Sequence, residues 1–181
     1  FSHSTSSLMI SKMQGNIIDI LFAPLSAIEV TISIILAAVT RSIIIGIVST
    51  LVFFFIVDLK IYNLGYIFYS AFFGSFFIGS LGFITGLWAT KFDHTATITN
   101  FLITPLAFLS GVFYTIDKLP SIFQTISYFN PFFHIINIFR YGFLGTSDGN
   151  MFFGIFYLPA LSIVAWFVSF TLYNNGYKIK T

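Results

Sequence analysis

The sequence predicts an all-α, polytopic membrane protein with four full transmembrane helices. Its 181 residues are 57% hydrophobic and only 8% charged, whereas soluble domains carry about 25% charged residues. Four apolar runs each reach the roughly 20 residues that a spanning helix needs, and most of the charges lie in the breaks between them. The net charge of +2 is small and dispersed, which does not indicate nucleic-acid binding.

The positions of the cationic residues predict an orientation for these spans. The predicted spans cover residues 28–57, 64–89, 96–116 and 151–173. If the chain begins in the cytoplasm, four cations lie inside, namely Lys12, Lys91, Lys178 and Lys180. Three then lie outside: Lys60, Lys118 and Arg140. This difference weakly favours a cytoplasmic start under the positive-inside rule.

A short helix is predicted before the first span, where residues 15–26 read GNIIDILFAPLS. Pro24 lacks an N–H and disfavours helix at the residue before it, so the helix should cover about residues 16–22. Its residues are apolar apart from Asp19: Ile17, Ile18, Ile20, Leu21 and Phe22. One interpretation is an amphipathic helix that lies at the membrane surface.

Arg41 interrupts the first predicted span. A charge at the bilayer centre costs at least about 2.5–3.5 kcal/mol on insertion scales. Arg41 could therefore line a substrate path or pair with Glu29. Residues 42–57 alone cover about 24 Å as a helix, so Arg41 could instead lie near the cytoplasmic interface and extend its guanidinium to water. We favour this second interpretation.

The second predicted span carries a series of small residues: Ser70, Gly74, Gly79, Gly82 and Gly86. Gly82 and Gly86 form a GxxxG pair, and small residues let helix backbones approach closely in lipid. The series could mark an interface that moves during function. Ordinary packing within the chain is the simpler interpretation, and we favour it.

Two short apolar helices are predicted between the third and fourth spans, in residues 120–145. Asn130 can cap the second one, and Pro131 suits its first position, where no backbone N–H is needed. Residues 131–144 would extend about 21 Å, less than the roughly 30 Å of a hydrocarbon core. This helix should therefore re-enter the membrane or lie at its interface.

A polar stripe follows one face of that helix, since Asn137, Arg140 and Tyr141 are spaced i, i+3 and i+4, with His134 three residues earlier. The stripe could meet substrate or lipid headgroups near the outer surface. Alternatively, Arg140 could satisfy loop carbonyls and anchor the helix, as interfacial arginines often do. We slightly favour anchoring.

No catalytic motif is evident, so the chain is not expected to be an enzyme or to bind a cofactor or metal itself. It has no GxxxxGK[ST] phosphate loop and no HExxH pattern. It has no cysteine, and His3, His94 and His134 are scattered.

Four motifs in one region resemble the ABC-2 type transporter permeases, the membrane subunits of bacterial ABC exporters. They are FLSGVFY at residues 108–114, Leu119-Pro120, Asn130-Pro131, and RYGFLG at residues 140–145. Their order and spacing match the family. The resemblance extends from Gly15 to nearly the end of the chain. It implies the larger C-terminal part of a six-helix permease, beginning near the end of the second helix.

The resemblance also implies partners and a location. The segment at residues 15–23 would be the coupling helix that docks on a separate ATPase, through Gly15, Ile17, Asp19, Leu21, Phe22 and Pro24. Two permease subunits would pair in the bacterial inner membrane and bind two ATPase subunits, which hold ATP and Mg²⁺. The substrate is not specified, because relatives export drugs, lipids, glycolipids or polysaccharides.

Two other classes of function remain open on the residues alone. A secondary transporter or channel would need no ATPase, but it would normally carry acidic or His residues inside its spans. A membrane assembly or anchoring protein would transport nothing, and nothing in the composition excludes it. Co-purification with an ATPase would separate the exporter from both.

Overall fold

The computed structural model describes residues 1–58, 60–113 and 120–178, without the side chains of Ile20 and Leu21. Within these ranges every regular element is a helix. The helices are α1 (Ser2–Met13), α2 (Ile17–Phe22), α3 (Ala27–Phe54), α4 (Leu64–Trp88), α5 (Phe92–Ile98), a π-helical turn (Thr99–Ile103), α6 (Thr104–Phe108), α7 (Ser121–Phe129), α8 (Pro131–Leu144) and α9 (Met151–Asn174).

Three of the described helices are long and apolar enough to cross a membrane. These are α3, α4 and α9, with 28, 25 and 24 residues and mean hydropathies of 2.2, 1.7 and 2.0. They coincide within a few residues with the first, second and fourth predicted spans. The prediction of an all-helical membrane protein is therefore confirmed.

The third predicted span, residues 96–116, takes a different form. Helix begins earlier, at Phe92, and continues through α5, the π-helical turn and α6, which have 7, 5 and 5 residues. Pro105 has no N–H to donate at this point, and the Thr104 hydroxyl donates to the Thr99 carbonyl at 2.9 Å. The helix ends at Phe108, before Gly111 at φ +78°. Residues 114–116 of the prediction lie outside the described ranges.

Helix α4 is the centre of the described bundle and packs against α1, α3, α8 and α9. Its glycines lie at these contacts. A Cβ added at Gly79 would lie 3.5 Å from the Ile35 side chain, and one at Gly86 would lie 3.1 Å from the Thr5 carbonyl oxygen. Gly82 accepts a hydrogen bond from the Thr5 hydroxyl at 2.9 Å. These glycines therefore pack the chain against itself.

Helix α9 runs parallel to α4 and is held by side-chain hydrogen bonds along its length. Ser162 donates to the Phe73 carbonyl at 3.1 Å, and Ser169 donates to the Ser80 carbonyl at 3.3 Å. Nearer the start of both helices, Tyr69 donates to the carbonyl of Ile155. Such polar contacts help hold helices together where lipid supplies no hydrophobic drive between them.

Helix α1 was not predicted from the residues, and it completes the bundle at the carboxyl end of α4. The Lys12 ammonium donates to the carbonyls of Leu87 at 2.7 Å and Ala89 at 3.1 Å. Burial lowers the pKa of Lys12, and the nearby positive charge of Lys178 lowers it further. Lys178 itself lies 5.4 Å from the centre of the Trp88 ring. The end of α1 and the residues after α9 thus meet at one end of the bundle.

Candidate functional site

The first candidate site is α2, where the helix predicted for residues 16–22 is present as Ile17–Phe22. Gly15 makes the turn from α1 at φ +78°, a conformation that glycine adopts without strain. At the other end the backbone becomes extended at Ala23, before Pro24. Ser26 and Glu29 then start α3 with a reciprocal capping box.

Only one described apolar side chain of α2 is buried. Ile17 is 6% exposed and packs in a core cluster with Leu8, Leu87 and Tyr173. Ile18 is 53% exposed and Phe22 is 85% exposed. Asp19 is exposed as well, while the side chain of Leu21 is among those not described. Helix α2 is therefore fixed to the bundle on one side and presents apolar surface on the other.

The second candidate site is the start of α8, where the predicted signals are all in place. Asn130 caps the helix, since its side-chain oxygen accepts from the Phe132 N–H at 3.0 Å, and Pro131 is the first helical residue. The Asn130 amide also donates to the Leu106 carbonyl at 2.6 Å. Asn130 is only 3% exposed. The residue thus joins α8 to the end of α6.

Helix α8 runs antiparallel to the first half of α4. A Cβ at Gly74 would meet the Ile135 side chain at 2.8 Å, near the middle of α4. At the other end, the Gly142 carbonyl accepts from the N–H groups of Tyr62 and Asn63 at 3.0 and 2.8 Å. Helix α8 therefore begins at mid-height of α4 and ends level with its start.

The polar side chains of α8 hold neighbouring loops against the helix. Asn137 accepts from the Asp148 N–H at 2.8 Å. Arg140 forms an ion pair with Asp148 and donates to the Gly111 carbonyl. The Tyr141 ring contacts the rings of Tyr62 and Tyr66 edge to face, with centroids 5.5 and 5.1 Å apart. Each of these contacts joins α8 to another segment of the chain, as the anchoring interpretation requires.

The first residue of the polar stripe, His134, is also enclosed. It is 1% exposed, and its Nε2 lies 2.8 Å from the Tyr128 carbonyl oxygen. Across the described part of the chain, no group of three or more His, Asp or Glu residues could hold a metal ion.

The third candidate site surrounds Arg41, which lies half-way along the 28 residues of α3. It does not pair with Glu29, because that carboxylate accepts from the N–H of Ser26 at 2.7 Å in the capping box. The two residues are also separated by about 18 Å of helix. Arg41 instead donates to His3 Nδ1 at 3.3 Å.

Arg41 and His3 line a cavity of about 650 Å³ between α1 and α3. Its polar lining comes from six residues: Ser2, His3, Ser6, Ser7, Arg41 and Ser42. Sequence reasoning identified Arg41 but missed the α1 residues. The available signal was the run SHSTSS at residues 2–7, which is unusual in so apolar a chain. On a helix, residues four apart in such a run share one face.

Comparison with known proteins places these features in one family of transport proteins. Residues 1–144 match the family model described as ABC-2 type transporter. The chain is 29% identical over 170 residues to the inner membrane transport permease YadH of Escherichia coli strain K12. The aligned region covers 92% of this chain and 66% of that relative. The chain thus spans slightly less than two thirds of the length of that permease.

A second group of relatives matches over a shorter region. Nodulation protein J of Rhizobium leguminosarum bv. viciae is 34% identical over 93 residues, which cover 51% of this chain and 36% of that protein. Nodulation protein J of Sinorhizobium fredii is 30% identical over 94 residues, or 52% and 36% of the two chains. No solved structure matches this chain.

Proposed function

Because this chain belongs to the ABC-2 type transporter family, we propose that it is the membrane-spanning permease subunit of an ATP-driven exporter. The observation that carries the proposal is the exposed apolar side of α2. Ile17 fixes this helix to the core, and Phe22 points away from the bundle with 85% of its surface exposed. Such a surface must be covered by lipid or by a partner protein.

In this proposal the partner is a separate ATPase with an apolar groove. Ile18 and Phe22 enter the groove, and Asp19 lies at its rim. ATP and Mg²⁺ bind to the ATPase, while the permease contributes no chemical step. Closure of the ATPases on nucleotide moves α2, and α2 shifts the permease between two conformations that nucleotide stabilises unequally. Two permease subunits and two ATPase subunits form the complete exporter.

The arrangement in the membrane follows from the same proposal. Lys12 and Lys178 approach the same end of α4, and Lys91 directly precedes α5 at that end. A cluster of cations is typical of a cytoplasmic face, so α2 lies in the cytoplasm. The relative's name supports the bacterial inner membrane as the location.

Four crossings bring the end of α1 and the end of α9 to that face. Helices α3, α4 and α9 supply three of them. The helical run from Phe92 to Phe108 supplies the other, and at about 25 Å it is the shortest. Helices α7 and α8 re-enter from the outer face. The mid-height start of α8 beside Gly74 supports this placement.

The test is the substitution Phe22→Asp in the permease expressed with its ATPase. A carboxylate placed in an apolar groove loses water without gaining a partner, and such burial costs several kcal/mol. We expect the ATPase to be lost when the tagged permease is purified from detergent, and transport-coupled ATP hydrolysis to fall. Membrane insertion should remain normal because the change lies outside the spans. Asp19→Ala should have a smaller effect, since rim charges contribute little.

Phe55→Asp is the matched control, because Phe55 is 86% exposed and follows the far end of α3. It should leave ATPase association unchanged. Retention of the ATPase by Phe22→Asp would show that α2 merely lies on the membrane. Absence of any ATPase from the wild-type preparation would favour a permease that works without one.

A further inference from the structure

Helix α9 contains a proline in the first half of its length. Pro159 has no N–H, so it cannot donate to the carbonyl of Ile155, four residues earlier, as another residue would. The ring of such a proline also crowds that carbonyl and bends the helix. In a membrane span a freed carbonyl must find another donor, because lipid offers none. Pro159 therefore creates both a weak point in α9 and an acceptor that needs a partner.

The partner of this acceptor is Tyr69 of the neighbouring helix α4. Its hydroxyl donates to the carbonyl of Ile155, which is the group that Pro159 leaves without its helical donor. Farther along the two helices the donors belong to α9, as where Ser162 donates to the Phe73 carbonyl at 3.1 Å. The direction of donation is thus reversed just before the proline, where α9 supplies the acceptor and α4 the donor.

Pro159 also separates two parts of α9 that have different partners. Before the proline, Tyr157 donates to the Phe129 carbonyl at the end of α7 at 2.8 Å. In the same part, a Cβ at Gly154 would lie 3.1 Å from Nδ1 of His134 in α8. After the proline, the serines of α9 donate to carbonyls of α4. The part before the proline is therefore attached to α7 and α8, and the part after it to the centre of the bundle.

We propose that Tyr69 and Pro159 form a latched hinge in α9, in which the latch is the bond from the Tyr69 hydroxyl to the Ile155 carbonyl. With the latch made, the part of α9 before the proline is held against α4. With the latch broken, this part bends about Pro159 and carries the end of α7 with it. Hinges absorb a conformational change within a few residues. The proposal rests on the proposed export function, in which the permease alternates between two conformations, and assigns one of the movements to the outer half of α9.

A double-mutant cycle tests whether Tyr69 replaces the donor that Pro159 lacks. Tyr69→Phe removes the hydroxyl, and we expect the midpoint of thermal unfolding of the full permease in detergent to fall by about 2–4 °C. Pro159→Ala restores an N–H within α9. In that background Tyr69→Phe should lower the midpoint by less than about half as much, since residues that act on one group are not additive.

Tyr157→Phe is the matched control, because it also removes a tyrosine hydroxyl that donates to a backbone carbonyl. Its acceptor belongs to α7 and gains no donor from Pro159→Ala, so its effect should be the same with and without the proline. Equal effects of Tyr69→Phe in the two backgrounds would overturn the latch, because the Ile155 carbonyl would then not depend on Tyr69.

Spin labels on the two sides of Pro159 measure the bend itself. Phe152→Cys and Phe167→Cys, at two exposed positions, carry the labels as the only cysteines of the permease, and pulsed electron–electron double resonance gives the distance between them. Without nucleotide, Tyr69→Phe should widen the distance distribution, and the addition of Pro159→Ala should narrow it again. A distribution that Tyr69→Phe leaves unchanged would overturn the hinge.

The same labels, measured with the ATPase and nucleotide, separate the hinge from the export function. Nucleotide binding should move the wild-type distribution toward that of Tyr69→Phe without nucleotide. An unchanged wild-type distribution while the bound ATPase hydrolyses ATP would overturn the part assigned to the hinge in the transport cycle. Failure of the permease to bind any ATPase would overturn the proposed export function, and the comparison of Tyr69→Phe with wild type without nucleotide would still decide the latch.

Discussion

Arg140 connects α8 to two loops, through residues 8 and 29 positions away in the sequence. Its guanidinium pairs with Asp148 in the loop before α9 and donates to the Gly111 carbonyl after α6. The side chains of Arg140 and Asp148 are 23% and 18% exposed. Charge-assisted bonds of this kind are stronger than neutral ones, so Arg140 is expected to hold α8 against both loops.

The main effect of replacing Arg140 should therefore be a lower free energy of unfolding, and not the loss of a substrate contact. Arg140→Gln leaves a carboxylate and a carbonyl without their donor, and we expect a loss of about 1–3 kcal/mol. The measurement is thermal unfolding in detergent, with Lys60→Gln as the control for loss of one positive charge. Unchanged stability together with lost transport would identify Arg140 as a substrate contact.

Residue-level predictions succeed where the signal is local. Asn130 and Pro131 start α8 because a cap and a proline at the first helical position act on adjacent residues. Arg140 and Arg41, in contrast, have partners that are distant in the sequence. Gly111 and His3 are separated from them by 29 and 38 residues. No local pattern encodes such a contact, and the assembled bundle decides it.

At the scale of elements, α8 and α4 touch through a glycine. A Cβ at Gly142 would lie 3.0 Å from the Ile67 backbone nitrogen and 3.2 Å from the Asn63 carbonyl oxygen. Backbone atoms cannot withdraw as the end of a flexible side chain can. The start of α4 and the end of α8 therefore fit together only without a side chain at this position.

Gly142→Ala should force the two helices apart, and overpacking of this kind costs about 1–3 kcal/mol. Gly46→Ala is the matched control, since its Cβ meets nothing within 4 Å and alanine is the better helix former. Thermal unfolding of the two variants should give a lower midpoint for the first and an equal or higher one for the second. Equal midpoints would mean that α8 does not pack on α4 as described.

The third predicted span shows why element boundaries are harder to predict than elements. Its apolar run continues past residue 108, and hydropathy alone extends the helix with it. The backbone responds instead to Pro105, which supplies no N–H, and to Gly111 in a left-handed conformation. Hydropathy misses helix α1 for the opposite reason, because the polar residues of this segment lower its hydropathy although the helix packs through Thr5, Leu8 and Met9.

At the scale of the whole molecule, most of the described charged residues lie at the two ends of the bundle, and Arg41, half-way along α3, is an exception. Lys12 and Lys178 approach the last carbonyls of α4. At the other end, the Gly142 carbonyl meets the loop that precedes α4, close to Lys60 and Arg140. The composition and the four apolar runs were sufficient to predict a helical membrane protein, but the packing order around α4 required the structure.

Single cysteines can test the proposed topology, since the chain contains none of its own. Gln14→Cys and Asn175→Cys should resist a membrane-impermeant maleimide in intact cells, because both lie at the cytoplasmic end of the proposed arrangement. Lys60→Cys and Ser147→Cys should react. Disruption of the cells should expose the first pair. Reaction of only one member of that pair before disruption would require an odd number of crossings between them.

The central position of α4 also bears on how such a chain can change over time. At least five of the described helices contact it, namely α1, α3, α5, α8 and α9, so a substitution on α4 must satisfy several neighbours at once. Many apolar side chains on the outer faces of α3 and α9 are exposed, such as Val48 and Phe167, and such positions accept many apolar residues. Sequence divergence among permeases built on this plan should therefore accumulate on those faces, while the small residues of α4 are inherited with little change.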